Sequence, residues 1–200
     1  DIYIVHWRDH TTPMEETVHA MTDVVRSGKA RYWGVSNYQA WEACRALWIA
    51  DAAVAPGFIT MQNPYSLLNR DLEPEIMPFC GEMGSGLMAF SPLAVGVLSG
   101  DIDLTQLRGR RLDSATNSWK ETIPDDRARH RATSVIEVLR EIAASKEIHP
   151  TAVAIQWVLS HPEVTVAIAG PDTTAQLDTY LDGVNWELTV EERERLDAIS

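Results

Sequence analysis

Short apolar segments alternate with amphipathic segments along the chain, and this alternation limits the folds that it can adopt. Five segments have the length and the branched apolar residues of buried strands. Segments of helical length separate them. Strands that alternate with helices form βαβ units and a parallel sheet, which predicts an α/β fold. The predicted strands cover residues 2–6, 30–36, 58–62, 86–90 and 164–170.

The predicted helices fill the intervals between these strands. Thr11 or Thr12 is expected to cap the first helix, with Pro13 in its first turn. Thr189 and Glu192 have the spacing of a capping box, which predicts the start of the last helix. A long polar loop is expected over residues 91–126. The other predicted helices cover residues 13–27, 39–53, 72–83, 128–146, 151–160 and 175–181.

Two architectures have this order of elements, an open doubly wound sheet and a (β/α)8 TIM barrel. Both place the active site at the carboxyl ends of the strands. Four different predicted strands carry polar residues at this end, namely His6, Ser36 with Asn37, Gln62, and Ser91. No Gly-x-Gly-x-x-Gly motif follows a strand, which favours the barrel. Five strands make an incomplete barrel, whose open edges would promote aggregation.

Composition excludes several classes of protein. The chain is 45% hydrophobic and 23% charged, as in a globular domain, and its formal charge of −12 repels nucleic acid. Cys44 and Cys80 fit neither a disulfide framework nor a metal site, and we expect buried, reduced thiols in a cytoplasmic protein. No apolar run is long enough to span a bilayer and no signal peptide is visible, so no membrane partner is expected.

Taken singly, the residues at the carboxyl edge have more than one explanation. His6 could be a core histidine bonded to a backbone carbonyl, or a donor aimed at a substrate oxygen. Ser36 and Asn37 are common helix caps, and Gln62 could satisfy loop backbone. Phe90 could belong to the core. The residues alone leave these alternatives open.

Five stretches, taken in order, resemble the aldo-keto reductase superfamily. They are VHW (5–7), GKARYWGVSNYQAW (28–41), MQNPYSLLNRDLEPEIMPFC (61–80), GLMAFSPLAVGVLSG (86–100) and AIAGPDTTAQLDTYL (167–181). The resemblance implies that residues 1–200 form one partial barrel domain. It would comprise strands four to eight with their helices, and the first three βα units would be absent.

The resemblance also implies an activity, the NAD(P)H-dependent reduction of aldehydes or ketones to alcohols by hydride transfer. The family uses a tyrosine as general acid, assisted by a lysine, an aspartate and a histidine. Only the histidine has a counterpart, His6, whose implied catalytic role is to orient and polarise the carbonyl. The other three would precede Asp1, so this chain alone is expected to have little or no activity.

Cofactor-binding positions follow from the same resemblance. Ser36, Asn37 and Gln62 match the residues that hold the nicotinamide carboxamide, a group that needs both donors and acceptors. Phe90 matches the aromatic residue that stacks on the nicotinamide ring. The remaining matches lie in the loops that wrap the pyrophosphate (Ser91, Pro92, Leu93) and cover the adenosine (Gly170, Asp172, Gln176).

Three departures from the family pattern bear on the choice of cofactor. Asp101 and Asp172 stand where relatives often carry cations or serine near the 2′-phosphate, and Tyr180 replaces a common asparagine. A close pair of like charges costs about 1 kcal/mol or more near a surface. We therefore expect NADP(H) with a weakened preference over NAD(H), which is the alternative cofactor. Arg108, Arg110 or Arg111 could instead supply the missing positive charge and keep the NADP(H) preference.

Two further hypotheses compete with a reductase. One is a non-catalytic, cofactor-binding regulatory protein on the same barrel, like the potassium-channel β subunits. The other is a truncated protein without catalysis. The partner expected for a reductase is a small carbonyl compound of unknown identity, and the oligomeric state stays open. Trp7 and Trp33 could line an apolar substrate wall, although burial is the commoner fate of a residue placed as Trp33 is.

Overall fold

The predicted order of strands and helices is confirmed by a computed structural model, described here over residues 1–101, 104, 125–182 and 186–200. Most of the predicted loop 91–126, including Arg108, Arg110 and Arg111, lies outside these residues. The strands are β1 Ile2–Val5, β2 Tyr32–Ser36, β3 Thr60–Pro64, β4 Gly86–Phe90 and β5 Val164–Ile168. The helices are α1 Met14–Arg26, α2 Ala40–Ala52, α3 Ile76–Met83, α4 Asp126–Lys146, α5 Pro150–Leu159, α6 Thr174–Leu181 and α7 Val190–Ile199.

The sheet follows the order of the chain, from β1 to β5. β1 pairs with β2 in parallel, with Ile2 opposite Tyr32, and β2 pairs in parallel with β3, with Gly34 opposite Thr60. A doubly wound sheet reverses its strand order at a switch point, whereas the strands of a barrel follow one another. The order is therefore that of a partial barrel, as the sequence predicted.

The described residues divide into two compact units. Unit 1 comprises residues 1–63 and 72–88, and unit 2 comprises residues 64–71 and 89–200. In unit 1, Trp33 is buried on β2 and its indole N–H donates to the carbonyl of Pro56 over 2.9 Å. Its side chain thus belongs to the core. The interpretation of residues 1–200 as one domain stays a prediction.

The core of unit 2 is built around an aromatic cluster. Trp157 on α5 stacks on Tyr65 with ring centroids 5.2 Å apart, and both side chains are fully buried. His161 completes the cluster, because its Nε2 lies 3.0 Å from the Tyr65 hydroxyl. The indole N–H of Trp157 donates to the carboxylate of Asp197 on α7, which ties the last helix to α5.

The prediction that a threonine caps α1 is wrong. Pro13 occupies the position before the helix and makes no side-chain cap. The hydroxyls of Thr11 and Thr12 instead donate to the carboxylate of Asp9, each over 2.7 Å. A carboxylate is a stronger hydrogen-bond acceptor than a neutral oxygen, so Asp9 organises this turn.

The expectation of two buried thiols is half wrong. Cys80 is buried, but Cys44 is exposed on α2. The buried face of α2 consists of Glu42, Ala43, Ala46 and Ala50. Cys44 lies one residue beyond Ala43, a rotation of about 100° around the helix, and so points away from the core.

Candidate functional site

Four of the predicted site residues lie in unit 1, at or near the carboxyl ends of three adjacent strands. His6 directly follows β1, Ser36 is the last residue of β2 and Asn37 follows it, and Gln62 lies within β3. Because β1, β2 and β3 are parallel, their carboxyl ends meet at one edge. The predicted grouping of these residues within unit 1 is thus observed.

Asn37 connects the other three residues through hydrogen bonds. Its side-chain amide donates to the carbonyl of His6 over 3.1 Å and to the hydroxyl of Ser36 over 3.0 Å. Its backbone N–H donates to the carbonyl of Gln62 over 3.0 Å. The backbone is left-handed here, with φ of 59°, a conformation that asparagine tolerates better than most residues. Asn37 therefore fixes the turn after β2 against both neighbouring strands.

Ser36 is fully buried, and its hydroxyl is used within the protein. The hydroxyl donates to the carbonyl of Gln62 over 2.8 Å while it accepts the amide of Asn37. These bonds orient the Asn37 side chain. The assignment of Ser36 to cofactor binding stays a prediction. Its observed role is to hold the Asn37 side chain through a hydrogen bond.

Polar groups remain available on the three other residues. The His6 side chain is exposed, and its ring lies 5.9 Å from that of Trp7. Asn37 and Gln62 are half-buried. Among the described residues, no hydrogen bond is made by the His6 imidazole, the Gln62 side chain or Asn37 Oδ1. Of the two explanations of His6, the arrangement favours an exposed donor over a satisfied core histidine.

The free groups suit a carboxamide ligand chemically. An amide of the nicotinamide type presents one acceptor and two N–H donors, and the Gln62 side chain and Asn37 Oδ1 supply the complementary donor and acceptors. An imidazole beside them can donate a hydrogen bond to a carbonyl oxygen. The edge of unit 1 therefore fits the nicotinamide end of a dinucleotide, and no metal-ligating cluster of three or more residues occurs in the described residues.

Sequence reasoning missed a buried ion pair beside this group. Arg8 lies two residues after His6, and its Nη1 donates to Oε1 of Glu42 on α2. The two side chains are 16% and 5% exposed. Glu42 also accepts the backbone N–H of Gln39 over 3.0 Å, the spacing of a capping box that the sequence itself contains. That spacing was the one signal available for Glu42, and no local pattern identified Arg8 as its partner.

In unit 2, the residues after β4 form a tightly turned loop. Ser91 has a φ of 55° and is exposed, whereas Pro92 and Leu93 are buried. Ala94 and Val95 are also left-handed, and the Ala94 N–H donates to the Ser91 carbonyl over 2.9 Å. The Pro92 and Leu93 side chains thus face inward, so a ligand would meet Ser91 and loop backbone. This suits the backbone role that the resemblance implies, and the assignment stays a prediction.

Phe90 ends β4 in a half-buried position, and its carbonyl accepts the backbone N–H of Tyr65 over 3.0 Å. The strand end is thereby fixed within unit 2 by the same residue that anchors the aromatic cluster. An aromatic ring at a fixed strand end is suited to stacking on a planar ligand. The predicted stacking role of Phe90 remains a prediction.

The loop after β5 uses one predicted ligand internally. The side-chain oxygen of Gln176 accepts the backbone N–H groups of Asp172 over 2.6 Å and of Thr173 over 3.2 Å. In return, the Thr173 hydroxyl accepts the N–H of Gln176, which completes a capping box at the start of α6. Gly170 and Asp172 are exposed. The predicted contact of these three residues with adenosine stays a prediction.

The structure gives Asp101 a neighbouring base. Its carboxylate lies 3.6 Å from Nε2 of His149, the residue before α5. The Asp101 backbone N–H donates to the Ser99 hydroxyl over 3.2 Å. Asp101 thus has a possible cation partner in His149. The preference between NADP(H) and NAD(H) remains a prediction.

Tyr180, the third departure from the family pattern, is half-buried on α6, and this burial raises its pKa.

No helix in the described ranges is long and apolar enough to cross a membrane.

Comparison with known proteins supports the same fold. The chain is 34% identical over 197 residues to versiconal hemiacetal acetate reductase of Aspergillus parasiticus, covering 98% of this chain and 56% of that protein. It is 33% identical over 181 residues to a probable voltage-gated potassium channel subunit beta of Oryza sativa subsp. japonica, covering 88% and 54% of the two chains. A solved glycerol dehydrogenase of Gluconobacter oxydans superposes with a TM-score of 0.85 at 25% identity, over 100% of this chain and 57% of that chain.

The chain thus spans about half the length of the curated relatives it matches. The model of the aldo/keto reductase family matches residues 1–200, from end to end of this sequence. Together with the superposition on the solved glycerol dehydrogenase, this match confirms the predicted partial barrel. The chain belongs to the aldo/keto reductase family.

Proposed function

We propose that the full-length protein is an NAD(P)H-dependent reductase that converts an aldehyde or ketone to an alcohol. The observation that carries the proposal is the Asn37 network, which fixes the backbone at His6 and leaves the imidazole exposed at the carboxyl edge of unit 1. The names of two relatives, a reductase and a dehydrogenase, support a redox function.

In this proposal each residue of the group has a defined task. His6 donates a hydrogen bond to the substrate oxygen, which orients the carbonyl and favours negative charge on that oxygen. Asn37 Oδ1 and the Gln62 side chain hold the carboxamide of the nicotinamide, which supplies the hydride when the cofactor is bound. Ser36 keeps Asn37 in place. In the family the proton comes from a tyrosine, for which the resemblance gives no counterpart in these 200 residues.

Replacement of His6 tests the catalytic half of the proposal. We expect His6→Ala in the full-length protein to lower kcat by about 10²-fold or more, because one preorganised donor to a developing oxyanion has that effect. The measurement is steady-state reduction of a panel of aldehydes and ketones with NADPH and with NADH, and cofactor affinity is followed by fluorescence. His10→Ala, an exposed histidine in the loop after β1, is the control and should leave kcat unchanged.

Turnover by the His6→Ala protein at the wild-type rate would overturn the role of His6. Absence of turnover by the wild-type protein with every carbonyl and both cofactors would overturn the reductase itself. Within the proposal NADP(H) is the cofactor, with NAD(H) as the alternative that Asp101 and Asp172 suggest. An affinity for NADPH at least tenfold above that for NADH would exclude NAD(H) as the cofactor.

The proposed location of the protein is the cytoplasm.

A second candidate function is a cofactor-binding regulatory subunit. It is favoured by the similarity to proteins named as potassium channel β subunits, one from rice and one from Schizosaccharomyces pombe at 30% identity. The two functions separate in the same assay. A regulatory subunit would bind NADPH and change its fluorescence, yet would reduce none of the carbonyl compounds at a measurable rate.

A further inference from the structure

We propose that the buried Arg8–Glu42 ion pair is a positioning device for His6. This inference rests on the proposed function and adds two residues to it. The three-residue segment His6–Trp7–Arg8 follows β1. Two side-chain contacts anchor this segment, one at each end. One is to Asn37, which directly follows β2, and the other is to Glu42 in the first turn of α2.

The first anchor acts at His6 itself. The side-chain amide of Asn37 donates to the His6 carbonyl over 3.1 Å. A single hydrogen bond to a carbonyl fixes one point of the backbone and still permits rotation about it. Rotation at that point would move the imidazole, because the side chain is exposed and makes no hydrogen bond within the described residues.

The second anchor acts two residues later. Arg8 Nη1 donates to Glu42 Oε1, and the Arg8 guanidinium carbon lies 5.2 Å from the centroid of the Trp41 ring. Glu42 is itself fixed, because its second carboxylate oxygen accepts the N–H of Gln39 at the start of α2. The guanidinium is therefore held between a carboxylate and an aromatic face. Two anchors on a segment of three residues leave the backbone at His6 little freedom.

The chemistry of the Arg8–Glu42 pair indicates that it restricts the position of the His6 segment and contributes little to the stability of the fold. Arg8 Nε is buried and has no hydrogen-bond partner in the described part of the chain. A buried ion pair with an unsatisfied donor is a poor stabiliser, and apolar side chains of similar volume often replace such pairs without loss. A planar guanidinium in a fixed site does, however, restrict orientation strongly. The Arg8 side chain is mostly buried and points to Glu42. In this proposal it therefore affects the reaction by holding the backbone at His6, and not by contact with the substrate.

Two variants separate position from stability. Arg8→Met removes one charge and leaves Glu42 buried without its partner, so it should lower both the melting temperature and kcat. The double variant Arg8→Met/Glu42→Gln removes both charges, and the amide oxygen introduced at position 42 can still accept the N–H of Gln39. We expect the double variant to recover the melting temperature of the wild type while kcat stays at least about tenfold low, because misplacement of a catalytic group by about 1 Å can cost 10²-fold.

The readouts are made on the full-length protein. They are kcat and KM for a carbonyl substrate, the dissociation constant for NADPH, the melting temperature, and the NMR signals of the His6 ring without cofactor. In both variants the His6 signals should shift, and the dissociation constant for NADPH should stay within about twofold of wild type. Arg45→Met is the matched control. It breaks an exposed ion pair that also involves α2, Arg45 with Glu15 of α1 over 2.9 Å, and should change neither kcat nor the His6 signals.

Recovery of kcat together with the melting temperature in the double variant would overturn the proposal, since the pair would then act through stability alone. Unshifted His6 signals in both variants would overturn it as well. If the wild-type protein reduces no carbonyl compound, the reductase function fails, and the NMR signals alone decide whether the pair positions His6.

Discussion

At the scale of the residue, the contacts that a side chain makes were not those that its motif suggests, and Asn37 is the example. Ser36 and Asn37 are preferred at helix starts, yet Asn37 adopts a left-handed backbone and bonds across to the His6 carbonyl. The two interpretations from the sequence were a helix cap and a cofactor ligand, and neither included a contact with the backbone at His6. The observed bond joins residues 31 positions apart, so the sequence identified the residue but not its partner.

Asp9 gives a prediction at this scale. Its carboxylate accepts hydrogen bonds from the Thr11 hydroxyl, the Thr12 hydroxyl and the Thr11 N–H, and these bonds lower its pKa from 3.8 to about 2. Because the folded pKa lies below the unfolded one, the stabilisation is present above about pH 4 and is lost as the pH falls towards 2. We expect a titration midpoint near 2 for the Asp9 carboxyl carbon, measured by NMR.

Removal of the Thr11 hydroxyl, whose hydrogen bond lowers the Asp9 pKa most, tests the cause of this shift. Thr11→Val should raise the Asp9 midpoint towards 3.8, whereas Thr133→Val on α4 should leave it unchanged. An Asp9 midpoint near 3.8 in the unsubstituted protein would contradict the assignment.

At the scale of the element, the sequence predicted the helices well where both the cap and its partner are local. The capping box at Thr189 and Glu192 is present, with the Thr189 hydroxyl accepting the Glu192 N–H over 3.2 Å and Glu192 accepting the Thr189 N–H over 2.9 Å. The start of α1 was mispredicted because Pro13, which has no side-chain acceptor, occupies the cap position, while Thr11 and Thr12 lie before it in a turn held by Asp9. A cap can thus be foreseen where the spacing of the capping residues also identifies the first residue of the helix.

The capping box also gives a measurable prediction. Thr189→Ala should lower the free energy of unfolding by about 1 kcal/mol, because an N–H at the start of α7 loses its acceptor. Thr133→Ala is the control, since the Thr133 hydroxyl only donates to a carbonyl of its own helix. Its effect should stay within about 0.5 kcal/mol. Chemical denaturation of both variants measures the difference, and equal effects would exclude a capping contribution at Thr189.

At the scale of the whole molecule, the sheet in chain order determines which residues meet. β2 and β3 approach each other closely at Gly34, where an added Cβ would lie 2.8 Å from Thr60 Cγ2 and 3.0 Å from the Thr60 carbonyl oxygen. Gly34 stands opposite Thr60 in the parallel register. Glycine is required here by space, because the neighbouring strand leaves no room for a side chain.

Two glycine substitutions test this close approach. Gly34→Ala should destabilise the protein by about 1–3 kcal/mol, since backbone of β3 would have to move. Gly81→Ala on α3 should instead stabilise it by about 0.5–1 kcal/mol, because its Cβ would meet no atom within 4 Å and alanine favours the helix. Thermal or chemical denaturation measures both. A neutral Gly34→Ala would contradict the close packing of β2 against β3.

The sequence by itself determined the alternation of strands and helices and the placement of His6, Ser36, Asn37 and Gln62 at or near strand ends. These two features depend on residue periodicity and on caps within a few positions, which are local properties of the chain. The partial barrel was implied by the resemblance to a family, and the match to that family confirms it.

Only the tertiary structure decided which of these residues touch and what surrounds them. The Arg8–Glu42 pair spans 34 positions, and it forms because parallel strands bring the turns after β1 and β2 to one edge. The exposure of Cys44 and the burial of Ser36 likewise depend on which faces the packed elements cover. Contacts of this kind are set by the positions of elements in space, which the composition of any one segment does not contain.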